Sequence, residues 1–427
     1  MASQVMISRR RDSHRGSLAW WVSLASTVVL LFNVRYGTQA VAVFIGVWGV
    51  YALPWPGYAA DALLRTRLPW AFPLFALASV LWSMAPDLTA RLAVEWLLTT
   101  GIAVLMARSL TADRFLTAWM CALVPVVIIG GLTGDSQYTE TLEVAATGIF
   151  GSKNNFALHI CLLLFVSFAV LTDPQQKKLF RAVALLGAAV GPLLLWRAKS
   201  VGALVVFFPS LVLMFAIIGL GRISTRLRQI ALVGAIATVV GIAAIVTPVA
   251  ISSQETLLSL VGKTGNLTGR GYLWYRAEFL IQQRPTLGVG YSAFWVQGNP
   301  EAEGLWRAEH IAARRGFHFH NFYYETLVEL GYVGMAIGGA VFALTGIATL
   351  LWGIRQPGPQ SGFFCALMLF LFMRSFVELD LTGGFGLTAL VIPAAWLYAT
   401  SALGSLGRAR NRWMTTGPAS IGPRLAR

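Results

Sequence analysis

Apolar runs of about twenty residues recur along this chain, most of them separated by short charged links, and nothing else in the sequence narrows the fold as far. Backbone amides in lipid have no water to bond, so a run of that length crosses a core of about 30 Å only as a helix. The runs fall at 17–34, 38–56, 69–85, 90–107, 114–133, 155–172, 179–196, 201–220, 229–250, 332–353, 361–379 and 385–403. They predict an all-α polytopic membrane protein with about twelve transmembrane helices. Composition agrees, with 56% of the 427 residues hydrophobic and 12% charged, against roughly 25% charged in soluble chains. Cys121, Cys161 and Cys365 all lie inside apolar runs and offer neither a disulfide framework nor a zinc spacing.

The net charge of +15 would suggest nucleic acid in a soluble domain. Here the Lys and Arg sit in tails and links, as membrane orientation demands, so nucleic acid is not an expected partner. The basic tail MASQVMISRRRDSHRG enters the first run without a signal-peptide cleavage site, which predicts a retained first helix. Alternate links carry Arg65 and Arg67, Arg108 and Arg114, Lys177, Lys178 and Arg181, Arg222, Arg226 and Arg228, then Arg355, and the C-terminal tail adds five arginines. With twelve spans these fall on one side, so the expected layout is a cytoplasmic tail at 1–16, spans one to nine over 17–250, a loop on the outer, periplasm-like face at 251–331, spans ten to twelve over 332–403 and a cytoplasmic tail at 404–427.

Two places break the charge rule. The link WRAKSVG puts Arg197 and Lys199 on the outer side, and the loop carries Arg270, Arg276, Arg284, Arg307, Arg314 and Arg315. Together they suggest an anion held at the outer face. Within the loop, 251–262 and 272–283 have helical spacing, the second through Leu273, Trp274, Ala277, Leu280 and Ile281, and helix resumes from His320 to Leu330. Arg270 opens the amphipathic helix, where a guanidinium fork and free amides suit a phosphate; the ordinary alternative is a lipid headgroup anchor. His320 stands where the loop re-enters helix, placed to take a proton from a sugar hydroxyl or to face a developing phosphate charge. Glu325 and Glu329, about one and two turns on, each suit orienting it or acting as the base, with stabilisation of the helix end the stronger reading for Glu329 and Glu325 the second candidate for the base. Lys153, Asn154 and Asn155 open the sixth span and would add donors, or simply cap it. His318 makes a metal pair conceivable, yet one HxH without a third ligand nearby does not make a metal site. Asp135, Glu140 and Glu143 read as a solvated acidic loop, and Arg374 with Glu378 as a structural ion pair four residues apart.

The run LTGRGYLWYRAEFLIQQRPTLGVGYSAFW, followed by HNFYYETLVELGYVG, closely resembles the signature of the O-antigen ligase and exopolysaccharide polymerase superfamily of bacterial membrane proteins. The resemblance implies an inverting, metal-independent glycosyltransferase with a fold related to the class C glycosyltransferases and no cofactor. It implies a glycan on undecaprenyl diphosphate as donor, in the bacterial inner membrane with the site facing the periplasm. The family's loop arginine falls on Arg270, its loop histidine on His320, and a second arginine on Arg197 or Lys199, because WRAKSVG departs from the usual order. The wording TGR, RP, GxG and AFW, with SKNN at the sixth span, looks more like repeat-unit polymerases than ligases to lipid A core. The expected acceptor is therefore another lipid-linked repeat unit, with membrane lipids and other assembly proteins as neighbours. The alternatives are an O-antigen ligase and, from another class, a transporter of the lipid-linked glycan, although transporters place charged sites near the midplane.

Overall fold

A computed structural model describes residues 2–138, 143–224, 226–228, 230, 270–314 and 316–416, with the backbone alone at 2–14 and 406–416. Its helices are α1 (Ala2–Leu31), α2 (Asn33–Tyr36), α3 (Thr38–Ala52), α4 (Pro56–Arg65), α5 (Ala71–Ala78), α6 (Pro86–Ser109), α7 (Ala112–Thr133), α8 (Lys153–Thr172), α9 (Lys178–Arg197) and α10 (Val201–Leu220). After the undescribed stretch come α11 (Arg270–Gln283), α12 (Pro300–Ala308), α13 (Phe322–Arg355), α14 (Pro359–Arg374) and α15 (Leu387–Thr416). Seven of them, α6, α7, α8, α9, α10, α13 and α15, contain stretches long and apolar enough to cross a membrane. The chain is a multi-pass, mostly helical membrane protein.

Most of the remaining expected spans are present in shorter form. The second stops at Ala52 and turns by 112° into α4, because Pro54 and Pro56 cannot continue the helix. The third is a 14-residue stretch, Leu68–Leu81, in which short 3₁₀ turns flank α5; at 1.5 Å per residue it reaches only about 21 Å. The first is apolar over Arg15–Leu31, and the eleventh ends at Arg374 rather than 379. The expected ninth span lies outside the described residues, as do the helix expected at 251–262, Glu140 and Arg315.

The acidic link departs from an all-helical layout. Asp135–Tyr138 (β1) and Val144–Gly148 (β2) pair antiparallel, with Ser136 opposite Ala146 and Gln137 opposite Ala145.

One core runs through the bundle. α8 is its axis, with Phe156, Phe165 and Leu163 fully buried against α7, α9 and α14. A second, smaller core belongs to the loop: Leu273, Ala277 and Ile281 of α11 close on Phe294, Leu305, Trp306 and Phe319. The i, i+4, i+8 spacing of the three α11 residues puts them on one stripe, which is why this short polar helix folds against its neighbours. The two ends of the bundle are chemically distinct. At one end Gln360, opening α14, donates to Asp173 after α8 at 2.8 Å; at the other, the start of α8 and the end of α14 meet the loop.

Candidate active site

The loop is fixed to the bundle by backbone bonds that its glycines permit. Gly331 breaks α13 at φ 64°, so Phe322–Leu330 forms a separate arm leading into the long helix. The chain around Pro285–Gly290 lies directly against this break. Tyr332 N–H donates to Pro285 O at 2.8 Å and Val333 N–H to Thr286 O at 3.2 Å, while Val289 and Gly290 donate back to Val328 and Glu329. A Cβ on Gly331 would meet the Thr286 backbone at 2.3 Å, and one on Gly288 the Glu329 backbone at 2.4 Å. Only glycine lets the two strands of chain come this close. The same segment is tied to the bundle through Met84 N–H to Val289 O and Thr89 Oγ1 to Tyr291 O.

At the head of the arm, Asn321 is the N-cap of α13, its Oδ1 accepting from Tyr323 and Tyr324 N–H. Its Nδ2 donates to Phe376 O at 3.0 Å, and Phe322 N–H donates to Ser375 O at 2.9 Å. Arg270, the first residue of α11, donates from Nη1 to Val377 O at 2.9 Å. Three bonds from the loop thus hold the chain that follows α14 and bring Glu378 inward.

Glu378 is the hub of the resulting cluster. Its Oε1 accepts from Asn154 Nδ2 at 2.8 Å and lies 3.7 Å from Arg270 Nη2; its Oε2 lies 3.9 Å from His320 Nδ1. Asn154 in turn accepts from Ser200 Oγ at 3.0 Å, so α8, α10, α11, α13 and the α14 tail all meet here. Burial alone would push the Glu378 carboxyl up, but His320 beside it and the charges of Arg374 and Arg270 outweigh that and hold it down to about 2. The group is a fixed anion facing the Arg270 guanidinium and the His320 imidazole. His318, two residues before His320, is also lowered, by burial and by the neighbouring His320, down to about 4, and its Nδ1 accepts from His320 N–H at 3.0 Å.

The sequence matches the O-antigen ligase family over residues 186–337. It is also similar to the exopolysaccharide production protein ExoQ of Rhizobium meliloti (strain 1021), 28% identical over 404 residues that cover 93% of this chain and 90% of ExoQ. In both comparisons the chain resembles the O-antigen ligase and exopolysaccharide polymerase superfamily. It is a membrane glycosyltransferase of polymerase or ligase type.

The expected site residues fall into two groups. Arg270 and His320, fifty positions apart, come together across Glu378. Lys153 is the first residue of α8, one position before Asn154. Arg197 and Lys199 sit just before Ser200 but turn elsewhere: Arg197 donates to Gly131 O at 3.3 Å, and Lys199, at φ 51°, pairs with Glu143 at 3.1 Å and lies over the Trp196 ring. Glu325 is buried, and both its oxygens are engaged, by Trp295 Nε1 at 2.9 Å and Phe319 N–H at 2.7 Å. That geometry makes it the pin of the peptide that carries the two histidines.

The expected Arg374–Glu378 pair does not form. Helix α14 ends at Arg374, so the i, i+4 spacing no longer puts the two side chains on one face, and Arg374 pairs instead with Asp380. The sequence reading thus gave Glu378 the wrong partner. Its signal was nevertheless present, because a carboxylate just beyond an apolar run needs a cation, and the loop supplies Arg270.

Proposed function

We propose that this cluster transfers a glycan from undecaprenyl diphosphate to a hydroxyl of another lipid-linked repeat unit, with inversion, at the periplasmic face of the inner membrane. The observation that carries the reading is the meeting of Arg270 and His320 around one anion, with an apolar groove on the helices that follow His320 and precede Glu378. That groove, about 600 Å³, runs along the flanks of α13 and α14 from Phe322, Tyr323 and Leu381 down past Met335, Phe342 and Phe372. Its lining includes Phe322, next in sequence to Asn321, and Leu381, three residues after Glu378; the reading lays a lipid tail in this groove with its phosphates toward the cluster.

Breaking a sugar–diphosphate bond develops negative charge on the leaving oxygen. Arg270, held in place by Val377 O and Glu378, faces that charge with a planar fork of donors. Lys153, the first residue of α8, is the further cation assigned to the rest of the diphosphate, while Arg197 and Lys199 are engaged by Gly131 O and Glu143. His320 takes the proton from the attacking hydroxyl, and Glu378 offsets the positive charge His320 then carries. A diphosphate leaves without a general acid, and no metal or cofactor enters these steps.

The extended similarity to a protein named for exopolysaccharide production favours polymerisation. The family description favours the alternative, ligation to lipid A core. The test is transfer by the purified protein in detergent, without any gradient, from a synthetic lipid-diphosphate glycan. Elongated lipid-linked product supports polymerisation; product only on added lipid A core supports ligation. No product under either condition, with intact uptake of the donor into vesicles, would return the transporter reading.

A further inference from the structure

The sequence shows an HxH pair with no third ligand nearby, and the fold supplies one. One ring nitrogen each of His318 and His320 and one oxygen of Glu378 lie within 4.8 Å of one another. We propose that these three residues form a binding site for a divalent transition-metal ion, with zinc the best match, and that its occupancy arrests transfer.

Three further observations support a built site. First, His320 Nδ1 is buried and finds no hydrogen-bond partner among the described residues, facing Glu378 Oε2 at 3.9 Å. That is beyond hydrogen-bond distance. It is close to the separation of about 3.3 Å between two ligands of one tetrahedral zinc with bonds of about 2.0–2.1 Å, so a shift of a few tenths of an ångström completes the edge. Second, His320 is held in the left-handed region at φ 51°, which turns it back beside His318 with ring centroids 4.2 Å apart. A non-glycine residue is uncommon there and marks a conformation imposed by its surroundings. Third, the ligands are oriented from behind. The peptide between the histidines is fixed at Phe319 N–H by Glu325 and at Phe319 O by Trp274 Nε1, while Asn154 holds the other oxygen of Glu378. Partners of this kind fix ligand direction in metal sites.

The donor set decides the class of ion. Two imidazoles and one carboxylate suit zinc and its transition-metal neighbours, leaving a fourth position for water. Calcium and magnesium call for more oxygen donors than this site offers. Arg270, 3.7 Å from the same carboxylate, works against a second cation, so binding is reversible rather than permanent. The binding half of the inference stands on this geometry alone. The arrest half rests on the proposed function, since an ion on His320 Nδ1 leaves the ring's one proton on Nε2, which can then take none from the acceptor, and also occupies the Glu378 oxygen facing it.

The experiment uses the full-length protein in detergent, stripped by a chelator and titrated with Zn²⁺ by calorimetry and with Co²⁺ by visible absorption. One equivalent should bind, with the intense absorption of four-coordinate cobalt. His318→Asn removes an imidazole while its Oδ1 can keep the bond from His320 N–H; it should weaken binding at least tenfold, and its remaining transfer should no longer respond to zinc. Should that variant fail to fold, judged by its thermal melt, His318→Gln provides the same comparison. In the wild type, zinc should stop transfer and a chelator restore it. Absence of a stoichiometric site, or undiminished binding by the His318 variants, overturns the site. Stoichiometric, His318-dependent binding without any effect on transfer overturns the arrest and the role given to His320, and leaves the site standing.

Discussion

Replacing Glu378 by Gln removes one charge and almost no volume, so it isolates what the anion contributes. Its carboxyl is held at about 2 against an ordinary 4.5, which corresponds to roughly 3 kcal/mol of favourable interaction with its surroundings. The side chain is 14% exposed, so solvent screens little of this. The bond from Asn154 survives in Gln, and the loss falls on the interactions with His320, Arg374 and Arg270. A destabilisation of about 2–3 kcal/mol is expected. Because the folded value is depressed, Glu378 contributes its full stability above the unfolded value near 4.5 and loses it as pH falls toward 2. The gap in melting temperature between wild type and Glu378→Gln should therefore be widest above about pH 5 and close progressively on acidification. Transfer at neutral pH should fall about a hundredfold, the scale of a misplaced reacting group, with kcat affected more than KM. Equal melting temperatures above pH 5 with an unchanged rate would refute the view that this carboxylate organises the cluster.

Arg270→Ala should lower transfer by about 10² to 10³ while leaving insertion intact, and Arg270→Lys should restore only part of it, since a point charge lacks the bidentate fork; a fully active Ala variant in the purified assay would make Arg270 a headgroup anchor. His320→Ala should lose about 10² to 10⁴ in rate while still binding the lipid-linked donor; loss of donor binding instead would make His320 a phosphate ligand. Gly331→Ala forces a Cβ onto the Thr286 backbone in a left-handed conformation. With strain of about 1–2 kcal/mol and two backbone bonds of about 1 kcal/mol each, it should cost roughly 3–4 kcal/mol. Hydrogen exchange at Tyr332 and Val333 should quicken, and a wild-type melt would refute the clamp.

Much of this architecture was legible locally. A run of twenty apolar residues has one way to satisfy its backbone in lipid, so the long helices of the bundle fall within a few residues of the runs that predict them. The stripe of Leu273, Ala277 and Ile281 and the return to helix after His320 are likewise patterns of near neighbours. The motif glycines could be recognised in the sequence, but their cause is tertiary: Gly288 and Gly331 are each required by the backbone of the other's segment. Hairpin β1–β2 was missed because its strands are four and five residues long and carry no alternation of apolar and polar residues.

The site itself was only half visible. Arg270 and His320 announced themselves by residue type and place, whereas Glu378 looked like the partner of Arg374 until α14 was seen to stop at that arginine. Glu325 looked like a base by its spacing from His320, and packing turned it inward onto Phe319 and Trp295. Helix periodicity reports which residues share a face over a few turns, and that is all a one-dimensional pattern can carry. The convergence of Asn154, Arg270, His320 and Glu378 joins residues as much as 224 positions apart. Such contacts depend on where helices end and how loops dock, and only the folded chain decides them.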